Sequence, residues 1–411
     1  MASATDTDIP AAHGAPLHMA EFVALIAALI SLGALGIDTM LPALPAIGSA
    51  LHAPTENARQ LVITAFVVGF GVAQLVHGPL SDRFGRKPTL IISLLIYVVA
   101  NMLCAISHSF ALLLAARMLG GVAIAATRVS TVAIVRDCFH GRAMARVMSI
   151  AFLVFMIVPI LAPTFGAGVL LLGSWRVIFW VVAGVSLAVI AWFTWRMPET
   201  LRPEDRHALS IARIASGWRT ALTDRLSLGY TLAATALQGA LYGYLNSIQQ
   251  VMADTFGRPR ALVLVFAICG AVMACSNLTN ARLVVRVGTR RLSHGAVLVL
   301  LTASSIHLAT AITGHETLVS FVVLQAIALG CFGLAGANFS AMAMENMGHI
   351  AGTASSVQGF ASVTIGGVIG ALIGQAFNGT TIPLATGFTI AGLAALACVL
   401  VTERGRLFNT A

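Results

Sequence analysis

Gly78-Pro79-Leu80-Ser81-Asp82-Arg83-Phe84-Gly85-Arg86-Lys87 is the stretch that decides the fold class of this chain. It is a short charged turn between two long apolar runs. Asp82, Arg83, Arg86 and Lys87 are costly in hydrocarbon and belong in water at a membrane face. Gly78 and Gly85 permit close backbone approach and a turn with φ > 0. Pro88 suits the first turn of the helix that follows.

Around this turn the chain is 58% hydrophobic and 9% charged over 411 residues, against about 25% charged in an ordinary soluble domain. A soluble chain could not hide that much apolar surface, and in lipid only helices and closed barrels satisfy every backbone group. The apolar runs last about 20 residues without strict alternation, which predicts helices rather than barrel strands. Twelve spans are expected, at 20–44, 58–79, 88–107, 110–135, 143–171, 175–196, 226–251, 260–283, 291–312, 316–343, 351–376 and 384–402. Residues 1–19 hold Asp6 and Asp8 but no Lys or Arg, unlike a secretory signal. They read as a disordered cytoplasmic tail. The expected organisation is a six-helix bundle at 20–196, a polar linker at 197–225, a second bundle at 226–402 and a cytoplasmic tail at 403–411.

Basic residues orient the spans. With the amino terminus inside, the inner face takes Arg83, Arg86, Lys87, the Arg-rich linker and the series from Arg282 to Arg291, while the outer face holds only Arg59, Arg176, Arg258 and Arg260. This topology accounts for the net charge of +9 without invoking nucleic acid. The linker, which opens Met197-Pro198-Glu199-Thr200-Leu201, has the composition of an amphipathic helix on the inner leaflet.

The order Gly-x-Leu-x-Asp-Arg-x-Gly-Arg-Lys resembles the loop signature of the major facilitator superfamily, between its second and third helices. The resemblance implies an all-α integral membrane protein of two six-helix bundles related by a pseudo-two-fold repeat. A shift of 203 positions carries Leu80, Arg83, Gly85 and Lys87 to Leu283, Arg286, Gly288 and Arg290, and Asp82 to Val285, so a degraded second copy is expected.

Lys87 is the only lysine and is followed by Pro88, so no phosphate-binding loop exists to drive transport by nucleotide hydrolysis. No metal-binding pattern is seen, and the six cysteines lack CxxC spacing. The expectation is a gradient-driven transporter rather than an enzyme, with no cofactor and no metal, working as a monomer. Asp38, in Gly36-Ile37-Asp38-Thr39-Met40-Leu41-Pro42, lies well inside the first span. An isolated carboxylate there is a functional candidate, able to load and release a proton; the structural alternative is a hydrogen bond at a Pro-broken helix. Arg117, in the fourth span, resembles the superfamily's second signature and is expected to face a cavity and join Asp38 in proton coupling. Arg128 falls on nearly the same face eleven residues on and reads equally as a gate or as a snorkelling anchor.

By the same resemblance, Gly78, Asp82, Arg83, Gly85, Arg86 and Lys87 form, with Asp137 at the end of the fourth helix, a conformational latch. Asp82 is expected to face the start of the eleventh helix near Gly352 and Thr353. Pro159, Pro163 and Gly166 resemble the bent, small-residue signature of antiporter helices, with Ala162 and Ala167 replacing two of its glycines. Gln238, Tyr242 and Asn246 recur every four residues as a polar stripe on the seventh helix, expected to face a cavity with Gln358. Phe66, Phe70, Phe152 and Phe155, with Met148 and Met156, are candidates for an apolar pocket. Gly366, Gly370 and Gly374 read as a packing face.

Asp38 with Pro42, Ala133 to Asp137, the Pro159–Gly166 run and Ala351-Gly352-Thr353-Ala354-Ser355-Ser356 together resemble the Bcr/CflA subfamily of drug exporters. That implies proton-driven export of bicyclomycin- or chloramphenicol-type drugs across a bacterial inner membrane, with Asp38, Phe66, Gln238, Tyr242, Asn246 and Gln358 as candidate substrate contacts. An exporter of one metabolite, a proton symporter of the same fold, and a transport-inactive membrane sensor are the alternatives.

Overall fold

The structure, a computed structural model, describes residues 17–139, 141–206 and 211–408, with the side chains of 141–143, 145, 149, 152–156, 205, 211–214 and 349 outside that description. Most of the expected amino-terminal tail and the pocket candidates Phe152, Phe155 and Met156 therefore lie outside the described residues.

Every regular element among the described residues is helical. The elements are α1 Met19–Asp38, α2 Leu44–Ala50, α3 Leu61–Phe84, α4 Arg86–Ile106, α5 Phe110–Cys138, α6 Gly141–Leu170, α7 Arg176–Arg196, α8 Ile211–Thr223 and α9 Arg225–Gln250. They continue with α10 Leu262–Val287, α11 Thr289–Ile312, α12 Leu318–Ala343, α13 Ala351–Phe360, α14 Gly366–Gln375 and α15 Ile382–Thr402. Each expected span coincides with one helical pass. The first pass is α1 and α2, joined through a short 3₁₀ turn at Leu41–Ala43. Pro42 and Pro45 open the two pieces that follow Asp38, and each lacks the N–H that would have continued α1. The eleventh pass is α13 and α14, joined by a π-helical turn at Ala361–Ile365.

Among the described residues, ten helical segments are long and apolar enough to cross a membrane. The seventh pass, α9, is not one of them, because Gln238, Asn246, Gln249, Gln250 and its serines and threonines make it too polar. It is nevertheless deeply buried, with every residue from Tyr242 to Gln250 inside. A polar helix in the interior of a membrane protein belongs to a hydrophilic pathway rather than to a lipid face.

In the first half, α3 packs on α5, α4 on α5 and α7, and α1 on α6. In the second, α9 packs on α14 and α15, α10 on α12, and α11 on α12 and α15. The glycine face of α14 lets it approach α9 closely: Gly366, Gly370 and Gly374 lie against Gln238, Tyr242 and Asn246 in turn. The charged turns of the two halves share one backbone shape. Gly85 (φ 103°) and Gly288 (φ 90°) each end one helix and begin the next. Only glycine adopts that conformation cheaply.

The linker helix α8 packs against the second half. Its Gly217 rests on Thr353, and Trp218 and Ala221 pack with Met347, Ala354 and Val357. That part of its apolar side is thus covered by the start of α13 and the turn before it, while Leu222 stays exposed.

Candidate functional site

Asp38 ends α1 and is 5% exposed. It makes no hydrogen bond or ion pair with any described residue; its electrostatic neighbours are the phenols of Tyr242 and Tyr244 on α9. An ionised carboxylate held so dry and unpaired costs several kcal/mol in effective terms, whereas the neutral acid does not. The turn that carries it is set by α6. Gly166 lies against the Thr39 carbonyl so closely that any side chain would collide with it. Beside it, Pro159 and Pro163 stand within α6, with Ala162 fully buried.

Arg117 is 1% exposed and does not face a cavity in this conformation, which corrects the expectation. Its Nε donates to the Val62 carbonyl (3.1 Å) and its Nη2 to the Gly36 carbonyl (2.9 Å). The guanidinium lies 4.3 Å from the Phe66 ring centroid. Two carbonyls and an aromatic face accommodate the charge without a carboxylate. Phe66 is therefore a packing partner with no exposed surface, not a wall of open space. Arg117 ties α5 to the backbone two residues before Asp38, so it acts as a brace for the carboxylate's turn.

The polar stripe on α9 divides. Gln238 is half-buried and within hydrogen-bonding reach of the Tyr242 hydroxyl. Tyr242 is 8% exposed and lies in the electrostatic range of both Asp38 and Arg128. Asn246 is 1% exposed; its Nδ2 donates to the Tyr242 carbonyl (2.8 Å), and its Oδ1 accepts from Thr64 of the other half (3.3 Å). Gln358 is 9% exposed with its Nε2 unpaired.

Sequence reasoning missed a second constellation. Asn57, just before α3, donates through Nδ2 to the carbonyls of Gln375 (2.9 Å) and Phe377 (2.8 Å). Its Oδ1 accepts from Gln250 Nε2 (2.7 Å), and its carbonyl accepts from Gln375 Nε2 (2.8 Å). Gln60 donates to Gln250 (3.2 Å), and Arg59 pairs with Asp254 (3.1 Å). Every described hydrogen bond between the two halves lies at this Asn57 end.

At the opposite end, Arg86 gathers the signature. Its Nη1 meets Asp82 (2.5 Å) and Ser81 (3.2 Å), and its Nε donates to Asp137 (3.1 Å). Arg86 is 4% exposed and Asp82 44%. Asp82 is spent on Arg86, and among the described residues no hydrogen bond joins it to the start of α13 in this conformation. Lys87 Nζ donates to the Thr194 carbonyl (2.8 Å), Arg83 stacks on Phe84, and Gly78 lies beside Ser356.

A residue not singled out from sequence completes this cluster. Glu199 accepts from the backbone N–H groups of Arg86 (3.0 Å), Lys87 (3.1 Å), Thr200 (2.9 Å) and Leu201 (3.0 Å). It caps α4 and fastens the linker to the signature turn, and it occupies the space where a side chain at position 85 would project. Its signal was an acidic residue placed just past a span and beside a basic loop.

The second half repeats the pattern with other residues. Arg290 binds Glu403 (2.8 Å) and Glu345 (3.0 Å), and Tyr230 donates to Glu403 (2.5 Å). Burial pushes the Glu403 carboxyl up, but hydrogen bonds from Tyr230 and Arg290 outweigh it and hold the group below its ordinary range.

Twelve helical passes in two halves, ten of them among the described residues long and apolar enough to cross a membrane, are joined by polar contacts at one end and meet around a dry carboxylate, as in a multi-pass membrane protein of the transporter class. A family profile described as Major Facilitator Superfamily matches residues 25–371. The chain is 31% identical over 384 residues to the uncharacterised MFS-type transporter YdgK of Bacillus subtilis, covering 92% of this chain and 94% of that one. It is 28% identical to a bicyclomycin resistance protein homolog of Haemophilus influenzae (95% and 96% covered) and 30% identical to a chloramphenicol resistance protein of Pseudomonas aeruginosa (86% and 84% covered). The crystal structure of the human organic anion transporter MFSD10 (TETRAN) has the same fold, with a TM-score of 0.68 at 19% identity over 94% of this chain and 100% of that one. The chain belongs to the Major Facilitator Superfamily.

Proposed function

We propose that this protein is a proton-coupled secondary exporter of drug-like small molecules, working by alternating access in a bacterial inner membrane with both termini in the cytoplasm. The observation that carries the reading is Asp38, a carboxylate 5% exposed and unpaired at the break of the first membrane pass. Such a group is stable there as the neutral acid and costly as the anion. Drug and proton then compete for one site: binding of drug against α9 brings polar groups to Asp38 and expels its proton.

The bundles 20–196 and 226–402 rock about the 197–225 linker. The Asn57 contacts close the outer side in this conformation, and the Arg86 cluster, with Asp82, Asp137 and Glu199, shapes the inner turn that takes over when the outer side opens. A ligand biases such an equilibrium only by binding the two states differently. Drugs of the chloramphenicol and bicyclomycin type are the substrate class that the named relatives favour. The test is proton release. Chloramphenicol added to the purified protein in weak buffer should release protons in the wild type and none from Asp38→Asn. Equal release from both would remove Asp38 from coupling.

A further inference from the structure

Of the charges within the membrane passes, Arg128 on α5 is the one the account above leaves without work. Its guanidinium forms no hydrogen bond or ion pair with any described residue, and its side chain is exposed although it lies ten residues inside the end of α5. Ten residues are roughly 15 Å of helix rise. Its electrostatic partner is Tyr242, which belongs to the other half and is itself 8% exposed. The guanidinium is therefore turned toward the space between the halves. Tyr242 lies within electrostatic range of two charges, Arg128 and Asp38.

We propose that Arg128 is the specificity-determining residue of this space and takes an anionic or strongly accepting oxygen group of the ligand, such as a carboxylate, phenolate or sulfonate. This rests on reading the space as the drug site of an exporter. A guanidinium without a carboxylate presents five donors in a fixed fork, and a planar oxygen group matches it with charge-assisted hydrogen bonds. The two charges acting on Tyr242 sum to zero when Asp38 is ionised and to plus one when it is protonated. In neither state is the site negative. A permanent cation finds repulsion from Arg128 and no net counter-charge, while a neutral polar molecule or an organic anion finds a donor.

The test is equilibrium binding of three probes to the full-length protein in detergent at one pH: chloramphenicol, its anionic succinate ester, and the permanent cation tetraphenylphosphonium. The wild type should bind the ester at least as tightly as chloramphenicol, and the cation at least tenfold more weakly. Arg128→Gln should lose tenfold or more for the ester, less for chloramphenicol, and nothing for the cation; Arg128→Lys should fall between, because it keeps the charge and loses the fork. Retained chloramphenicol binding shows that each variant is folded. Tight cation binding by the wild type, or an ester affinity unchanged in both variants while chloramphenicol still binds, would overturn the proposal alone. Failure of all three probes to bind the wild type would overturn the exporter reading and this proposal with it.

Discussion

Replacing Asn57 by Ala should open the outer side of the transporter. The side chain makes three hydrogen bonds across the two halves, to the carbonyls of Gln375 and Phe377 and from Gln250. Each is worth about 0.5–1.5 kcal/mol net, and the partners left behind in a partly buried interface cost more if water does not reach them. The expected loss to the closed state is therefore about 2–3 kcal/mol. In the open state the same groups are solvated, so nearly all of the loss appears in the conformational equilibrium. At 1.4 kcal/mol per tenfold, the open population rises by a factor of about 30–150. The measurement is a pulsed-dipolar distance between spin labels at Glu56 and Arg258, both exposed and in opposite halves, with exposed Cys275 replaced. The wild type should show one short distance, and Asn57→Ala a second, longer one of comparable or greater weight. Arg59→Gln breaks a single ion pair with a partly exposed Asp254, worth at most about 1 kcal/mol, and should shift the distribution much less. An unchanged distance distribution in Asn57→Ala would refute the reasoning that these bonds hold the outer side shut.

Three further outcomes are expected. Gly166→Val should separate α6 from the Thr39 carbonyl and abolish flux at a cost of about 1–3 kcal/mol in stability, while Gly168→Val, whose position has no neighbour within 4 Å, should leave both flux and melting temperature intact. Glu199→Gln should lower the melting temperature by an amount equivalent to about 1–3 kcal/mol, because an amide N–H₂ then faces backbone N–H donors; equal melting of variant and wild type would remove Glu199 from the inner cluster. The depressed Glu403 carboxyl contributes stability that is complete above the ordinary glutamate value of about 4.3 and is lost as pH falls through its lower folded value. Melting curves from pH 7 to pH 3 should therefore bring wild type and Glu403→Gln together at the acid end, and a constant gap would contradict this.

The membrane passes were legible because apolar run length is a property of the sequence alone, and the charged turn because its glycines and charges are adjacent in the chain. What a single sequence conveys poorly is the azimuth of a side chain around its helix. Arg117 and Arg128 share a face by helical arithmetic, yet one is sealed among Val62, Gly36 and Phe66 and the other opens toward Tyr242. Their difference comes from neighbours on α1, α3 and α9, which no spacing within α5 encodes. Phe66 was misplaced for the same reason. The Asn57 contacts were invisible because Asn57, Gln250 and Gln375 are ordinary polar residues at helix ends, far apart in sequence, and become a clamp only when the halves meet. Asp38 was found early because its cost in hydrocarbon does not depend on which neighbour it has.

The central claim is that Asp38 couples proton movement to drug export. The most direct measurement is chloramphenicol flux in proteoliposomes under an imposed pH gradient, comparing the wild type with Asp38→Asn and scoring drug binding in parallel. The wild type should accumulate drug against its gradient, while Asp38→Asn should still bind drug but only equilibrate it or not move it. Gradient-driven accumulation by Asp38→Asn at the wild-type rate would contradict the claim.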